Sequence, residues 1–363
     1  MLAAQFFDTT TEFLFGETMN TLSSKSSFET QEFLRAFHYA QKGMGQRIQM
    51  QFLRFLHRDK EWYRSIKISH AFADRYVDKA LEFRRNYLAT KELEQDEESD
   101  EDDVTKRYVL LHEMAKDTDD REELRSQIIH VFIAGHDPSG ITVGNAVFHL
   151  CRHPEIWAKL RAEVLSHGDV PFTFESLKNL HFVQYVIKES TCPPLLLPTY
   201  RNFYPQNPQN RTKTEIEIDN QIALRLHPVV PGDTRVAYVD TVLPTGGGPA
   251  GTSPVFVPKG SLVMTSLHSL HRLAPCFADD RPEEFVPERW ETVRPGWSYL
   301  PFFGGPRICP GRQLALTEVA YVLARLAQEW TAIECRDEVF DWVEEMKITA
   351  SSRNGVKIGL TPT

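Results

Sequence analysis

The sequence predicts a mainly α-helical fold with minor β structure. Three observations carry this. Apolar residues recur at helical spacing over residues 28–56 and 60–89. A long stretch from Arg121, REELRSQIIHVFIAGHDPSGITVGNAVFHLCRH, is apolar on most sides and reads as a helix running through the core. Strand signals are confined to residues 234–268 and to the tail from Met346.

Taken in order, Phe33, Phe37 and Tyr39 mark the apolar face of the first helical region, with a break expected at Gly43-Met44-Gly45. The second region ends near residue 89. Residues 92–103 then hold nine acids and no base, which reads as a solvated acidic loop. The helix from Arg121 ends at His153-Pro154, because the residue before a proline is pushed out of helical geometry. Two more helices are expected, from about Glu155 to Leu165 and from about Val183 to Glu189. Residues 190–222 carry five prolines and follow neither a helical nor a strand period. They are too many for an ordinary loop in a compact domain. The helical pattern resumes with ALRLHP, and short strands surround the turn Thr245-Gly246-Gly247-Gly248. Residues 275–308 are mostly loop. A last helix is expected from about Gln313 to Trp330. The tail from Met346 to Leu360 reads as strand, turn at Asn354-Gly355, and strand.

At 363 residues the chain holds one large domain or two ordinary ones. Its 41% hydrophobic content excludes global disorder. The net charge of -9 comes from the acidic tract, since the remaining acids equal the 41 lysines and arginines. No basic footprint for nucleic acid is present. The five cysteines, Cys151, Cys192, Cys276, Cys309 and Cys335, form no C-x-x-C pair, which argues against zinc-ribbon and thioredoxin readings. An odd, scattered set fits a reducing compartment. No apolar run reaches the length of a membrane span, and the first residues carry acids where a signal peptide needs bases.

The chemistry concentrates in Phe302-Phe303-Gly304-Gly305-Pro306-Arg307-Ile308-Cys309-Pro310-Gly311, followed by a helix. Two glycines and a proline shape a tight loop that lets a flat cofactor approach the backbone. Cys309 precedes a helix N-terminus, where the dipole and free N–H groups favour a thiolate. Such a thiolate suits axial ligation of haem iron. For Cys151, Cys276 and Cys335 the expectation is a small buried apolar side chain.

This loop resembles the haem-binding signature of the cytochromes P-450, F-x-x-G-x-R-x-C-x-G, at every fixed position: Phe302, Gly305, Arg307, Cys309 and Gly311. The resemblance implies a haem b whose iron takes the Cys309 thiolate, with Arg307 meeting a propionate and Phe302 packing near the sulfur. Phe285-Val286-Pro287-Glu288-Arg289-Trp290 resembles the segment ahead of that loop, whose arginine joins a structural ion-pair cluster. Ala134-Gly135-His136-Asp137-Pro138-Ser139 resembles the oxygen-activating stretch of the central helix. There Asp137 is a candidate for proton delivery or for holding a neighbouring helix, and Ser139 a candidate hydroxyl near bound oxygen. TTTEFLFGE, DTVLPTGGGP and FVPKGSLV are similar to a fungal branch that hydroxylates n-alkanes and fatty acids.

The resemblance implies a haem-thiolate monooxygenase fed with electrons from NADPH by a reductase and acting on long apolar substrates. The alternative is an inactive or merely haem-binding fragment. A thiol-nucleophile enzyme using Cys309 would need a base that the neighbouring sequence does not supply.

Three departures accompany it. The family's Glu-x-x-Arg is interrupted: Glu189 is followed by residues 190–222, and excising them gives KEALRLHP, which brings Arg225 to the fourth position. The insertion is 33 residues, so a retained intron would keep the reading frame; a surface loop is the other reading. Pro138 stands where a threonine is usual, and a proline inside a helix removes a hydrogen bond and kinks it. Met1 aligns well inside the family's fold. The expectation is therefore one incomplete domain over residues 1–363 that lacks the N-terminal part of the fold. The membrane anchor, which places such proteins at the endoplasmic reticulum, would belong to that part.

Overall fold

A computed structural model describes residues 2–22, 27–93, 108–189, 228–272, 284–346 and 348–363. Most of the acidic tract, the 190–222 insertion, Arg225, Cys192 and Cys276 lie outside the described residues. Ten α-helices are described: α1 (Leu2–Phe15), α2 (Phe28–Met50), α3 (Lys60–Leu93), α4 (Leu110–Asp117), α5 (Arg121–Leu150), α6 (Pro154–Ser166), α7 (Phe174–Asn179), α8 (His181–Glu189), α9 (Leu267–Leu270) and α10 (Arg312–Glu329). Eight strands pair in twos: β1 (Gly232–Val236) with β4 (Leu262–Ser266), β2 (Thr241–Gly247) with β3 (Ser253–Val257), β5 (Trp330–Cys335) with β8 (Ile358–Pro362), and β6 (Glu344–Met346) with β7 (Ala350–Ser352). The fold is mainly helical with small sheets.

The chain divides into two compact units. The first comprises residues 1–144, 311–323 and 346–349. Its core is aromatic: Phe7 and Phe15 of α1, Phe33 and Phe37 of α2, Phe72 and Tyr76 of α3 and Phe132 of α5 are buried together. Phe33 stacks on Phe72 with centroids 3.7 Å apart, and Phe7 meets Phe132 edge-on at 5.2 Å. Burial of such rings is the main favourable term here. At its rim Arg121 and Arg125 of α5 pair with Asp74 of α3 at 3.0 and 3.3 Å.

The second unit comprises residues 145–310, 324–345 and 350–363. Helix α6 buries Ile156, Trp157, Leu160 and Val164. It also holds β5 by polar contacts. The Trp157 indole N–H donates to the Thr331 carbonyl at 3.0 Å, and Arg161 donates to the Trp330 carbonyl at 3.1 Å. Its Glu163 accepts the Phe182 and Val183 amides at 2.8 and 3.0 Å. A carboxylate at the first turn of α8 satisfies free N–H groups and complements the helix dipole.

Four sequence expectations need correction. No break occurs at Gly43-Met44-Gly45; α2 runs through it to Met50 and continues as a 3-10 turn. Gly43 is there for close packing, because a Cβ at that position would fall inside the Trp62 indole of α3. Helix α3 reaches Leu93, past the expected end, since no breaker stands at Thr90 to Leu93. The glycines do not form the turn at 245–248: Gly247 still pairs with Ser253, and the chain closes through the Gly251 amide on the Gly248 carbonyl. The tail strands do not pair across Asn354-Gly355. Ile358–Pro362 runs antiparallel to β5, a strand that follows α10 with no sequence punctuation.

Helix α5 continues through Pro138. The carbonyl that loses its donor belongs to Ala134, an exposed residue, so water is available to it. The first half of α5 buries a stripe, Leu124, Ile128, Phe132, His136 and Ser139; from Thr142 onward nearly every residue is buried.

Two of the α-helical glycines, Gly43 and Gly144, should respond oppositely to alanine. Gly43→Ala should cost about 1–3 kcal/mol through overpacking against Trp62, whose indole N–H is pinned to the Ala40 carbonyl at 3.0 Å. Nothing lies within 4 Å of a Cβ at Gly144, so Gly144→Ala should gain about 0.5–1 kcal/mol. Urea midpoints of the two variants check the sign of each.

Candidate functional site

The loop before α10 is built by short-range constraints. Phe303 takes a left-handed backbone, φ 58°, rare for an aromatic residue. Gly305 follows at φ 71° and opens a 3-10 turn, Gly305–Arg307. The turn closes through the Ile308 amide on the Gly305 carbonyl at 3.1 Å. The Cys309 amide then reaches back to the Phe302 carbonyl at 3.0 Å. These bonds bring Phe302 and Cys309 together and leave the Cys309 thiol half-buried. Arg307 and Gly311 are exposed, as is Ile308. Gly304 packs tightly, since a Cβ there would meet Trp297 at 2.6 Å.

The approach to this loop is anchored in the second unit. Glu189, at the end of α8, has no solvent exposure. Its carboxylate accepts Arg289 Nε at 2.8 Å, the Trp290 indole N–H at 2.8 Å and the Val286 amide at 3.2 Å. Arg289 also donates to the Glu284 carbonyl at 3.1 Å. Trp290 packs on Tyr299 with centroids 4.7 Å apart, and the Tyr299 hydroxyl donates to the Lys188 carbonyl at 3.3 Å. Buried His271 accepts the Leu300 amide at 2.8 Å. The segment entering the cysteine loop is thereby fixed from both sides.

Asp137 and Ser139 belong to the first unit and face different partners. The Gln41 amide of α2 donates to Asp137 Oδ2 at 3.2 Å, and His136 Nε2 lies 3.2 Å from Oδ1. Burial pushes the Asp137 carboxyl up, but the His136 imidazole, with His38 and Gln41, outweighs it and holds the group below the usual carboxylate range. An acid so held keeps its charge at neutral pH and ties α2 to α5. The Ser139 hydroxyl donates to Glu318 Oε2 of α10 at 3.0 Å. Burial pushes Glu318 up to about 7, with the Ser139 bond a smaller opposing effect.

Gln41 and Glu318 went unnoticed in the sequence, and no local spacing points to them. Ser139 and Glu318 are 179 residues apart.

Among the described residues, no three His, Cys, Asp or Glu side chains gather as a metal site. A lone sulfur such as Cys309 fits a metal that brings its remaining ligands with it, as haem iron does.

The family model for Cytochrome P-450 matches residues 1–191 and 223–354. The cytochrome P-450 monooxygenase fsdH of Fusarium heterosporum is 38% identical over 356 residues, spanning 97% of this chain and 56% of that protein. Cytochrome P-450 52A6 of Candida tropicalis is 35% identical over 350 residues, spanning 92% of this chain and 58% of the other. The chain thus covers little more than half the length of these relatives. The solved structure of the cytochrome P-450DA heme domain superposes with a TM-score of 0.70 at 19% identity, over 100% of this chain and 67% of that one.

Glu318 makes stability depend on pH. Its folded value of about 7 lies above the ordinary 4.5, so the native state binds the proton more tightly than the unfolded chain. The resulting stabilisation is full below pH 4.5 and is lost as pH rises through about 7. Glu318→Gln keeps the neutral shape. Its melting temperature should match the parent near pH 4 and exceed it at pH 8, by the equivalent of about 1–3 kcal/mol. Parallel pH profiles for the two proteins would contradict this.

Proposed function

The chain belongs to the cytochrome P-450 family, and on that premise we propose that the protein works as a haem-thiolate monooxygenase on long apolar substrates. The observation that carries this is the loop in which Cys309 is presented half-buried, its amide bonded to Phe302, at the entry to α10. Haem bound there supplies oxygen activation and insertion of one oxygen atom into a C–H bond. Cys309 would hold the haem iron through its sulfur. Arg307, exposed beside it, would pair with a haem propionate. Glu189 and Arg289 keep the segment leading to the loop in register. Asp137, held as an anion, orients α5 rather than carrying a proton.

Electrons come from NADPH through a reductase, and the protein works at the endoplasmic reticulum membrane. Among the described residues no helix is long and apolar enough to cross a membrane. The substrate class, alkanes or fatty acids, rests on the resemblance of TTTEFLFGE, DTVLPTGGGP and FVPKGSLV to the fungal branch. We read residues 190–222 as an insertion into an otherwise continuous domain. The family match is interrupted over nearly the same interval, which supports this reading.

Two experiments test the proposal. The reduced, carbon-monoxide-bound protein should give the absorption band of thiolate-ligated haem. Cys309→Ala should abolish it with little change in far-ultraviolet circular dichroism; a retained band in that variant would overturn the assignment. Deleting residues 190–222 should raise the melting temperature, because closing a long loop costs entropy and the deletion restores the Glu189-to-Arg225 spacing. An unchanged or lower melting temperature would make the segment a genuine part of the protein.

A further inference from the structure

Cys151 and Cys335 lie on one buried ion pair in the second unit. Arg152 and Asp337 are bonded at 2.9 Å, with side chains only 4% and 6% exposed. The Arg152 guanidinium also donates to Cys151 Sγ at 3.3 Å, and Cys335 Sγ is 3.9 Å from the same Asp337 oxygen that Arg152 holds. Both sulfurs therefore touch the same Arg152–Asp337 pair, one at each partner. One sits just past the end of α5 and the other ends β5, so 184 positions of chain separate residues that the fold makes neighbours.

We propose that Cys151 and Cys335 form a dithiol site that a peroxide oxidises to a disulfide. The two sulfurs have unequal roles. Cys335 is half-buried and accessible, whereas Cys151 is buried. Burial pushes the Cys151 thiol up to about 12, with Arg152 opposing, so Cys151 is a poor first nucleophile. Cys335 therefore reacts first. Its thiolate attacks hydrogen peroxide, an S–O bond forms, the O–O bond breaks, and the departing hydroxide takes a proton to leave as water. The Cys151 sulfur then attacks the Cys335 sulfur. The S–S bond forms, the S–O bond breaks, and the hydroxide leaves as a second water with the Cys151 proton. Two thiols are oxidised by two electrons and one peroxide is reduced. The guanidinium against Cys151 Sγ stabilises the negative charge that this sulfur carries as it attacks.

The site needs no haem, so its test is independent of the reading of Cys309. The full 363-residue chain is treated with hydrogen peroxide, quenched with an alkylating agent, digested without reductant and analysed by mass spectrometry. The expected product is a cross-linked peptide joining Cys151 to Cys335, lost on adding dithiothreitol and absent when the chain is oxidised in guanidinium. In Cys151→Ala, a dimedone adduct should appear on Cys335; in Cys335→Ser, none should appear on Cys151. Peroxide that yields only sulfinic or sulfonic acid at Cys335, with no cross-link in the folded chain, overturns the proposal. So does a cross-link of equal yield in guanidinium, which would owe nothing to the fold.

Discussion

The carboxylate of Glu189, shut away from solvent, is the point on which the second unit is organised. A buried acid is tolerated only when donors surround it. Arg289, Trp290 and the Val286 amide meet that demand from a segment about 100 residues further along the chain. Because these donors of one segment must converge on two oxygens, the segment has little freedom. Its Trp290 then fixes Tyr299, and the chain enters the cysteine loop from a defined direction. Glu189 is itself placed by α8, whose first turn is held by Glu163. Two acids at opposite ends of a nine-residue helix thus set the position of a loop neither of them touches.

Three acids, Glu189 fully buried and Asp137 and Glu318 partly so, are accommodated in three ways. Glu189 is met by a guanidinium and neutral donors. Asp137 is balanced by an imidazole and an amide. Glu318 has a hydroxyl partner and takes up a proton instead. For Asp137 and Glu318 the difference follows from the partner: the imidazole and amide beside Asp137 outweigh its burial, whereas the hydroxyl beside Glu318 does not.

What the sequence revealed follows from how local each feature is. The cysteine loop was legible because its glycines, proline and sulfur act within ten residues. The long helices were legible from period alone, and α5 begins at Arg121 as expected. Gly43 misled, since a glycine that breaks a helix and one that admits a tryptophan look the same in sequence. Strand β5 was missed because it follows α10 without a turn residue, and the partner of the last strand was missed with it. Gln41 with Asp137, and Ser139 with Glu318, join distant helices through single side chains. Such pairs leave no periodic trace.

Pro138 has a consequence in time rather than in space. It removes one rung from the hydrogen-bond ladder of α5, at a carbonyl already open to water. The rungs before it close over a single buried stripe, while those after Thr142 lie in a segment buried nearly all round. Opening of one half need not break the bonds of the other. Amide protons of the N-terminal half, from Arg121 to Asp137, should therefore trade with solvent deuterium on a faster clock than those from Val143 to Leu150. A helix drawn as one rod would then behave as two cooperative segments, with the proline marking where one lifetime ends and the next begins.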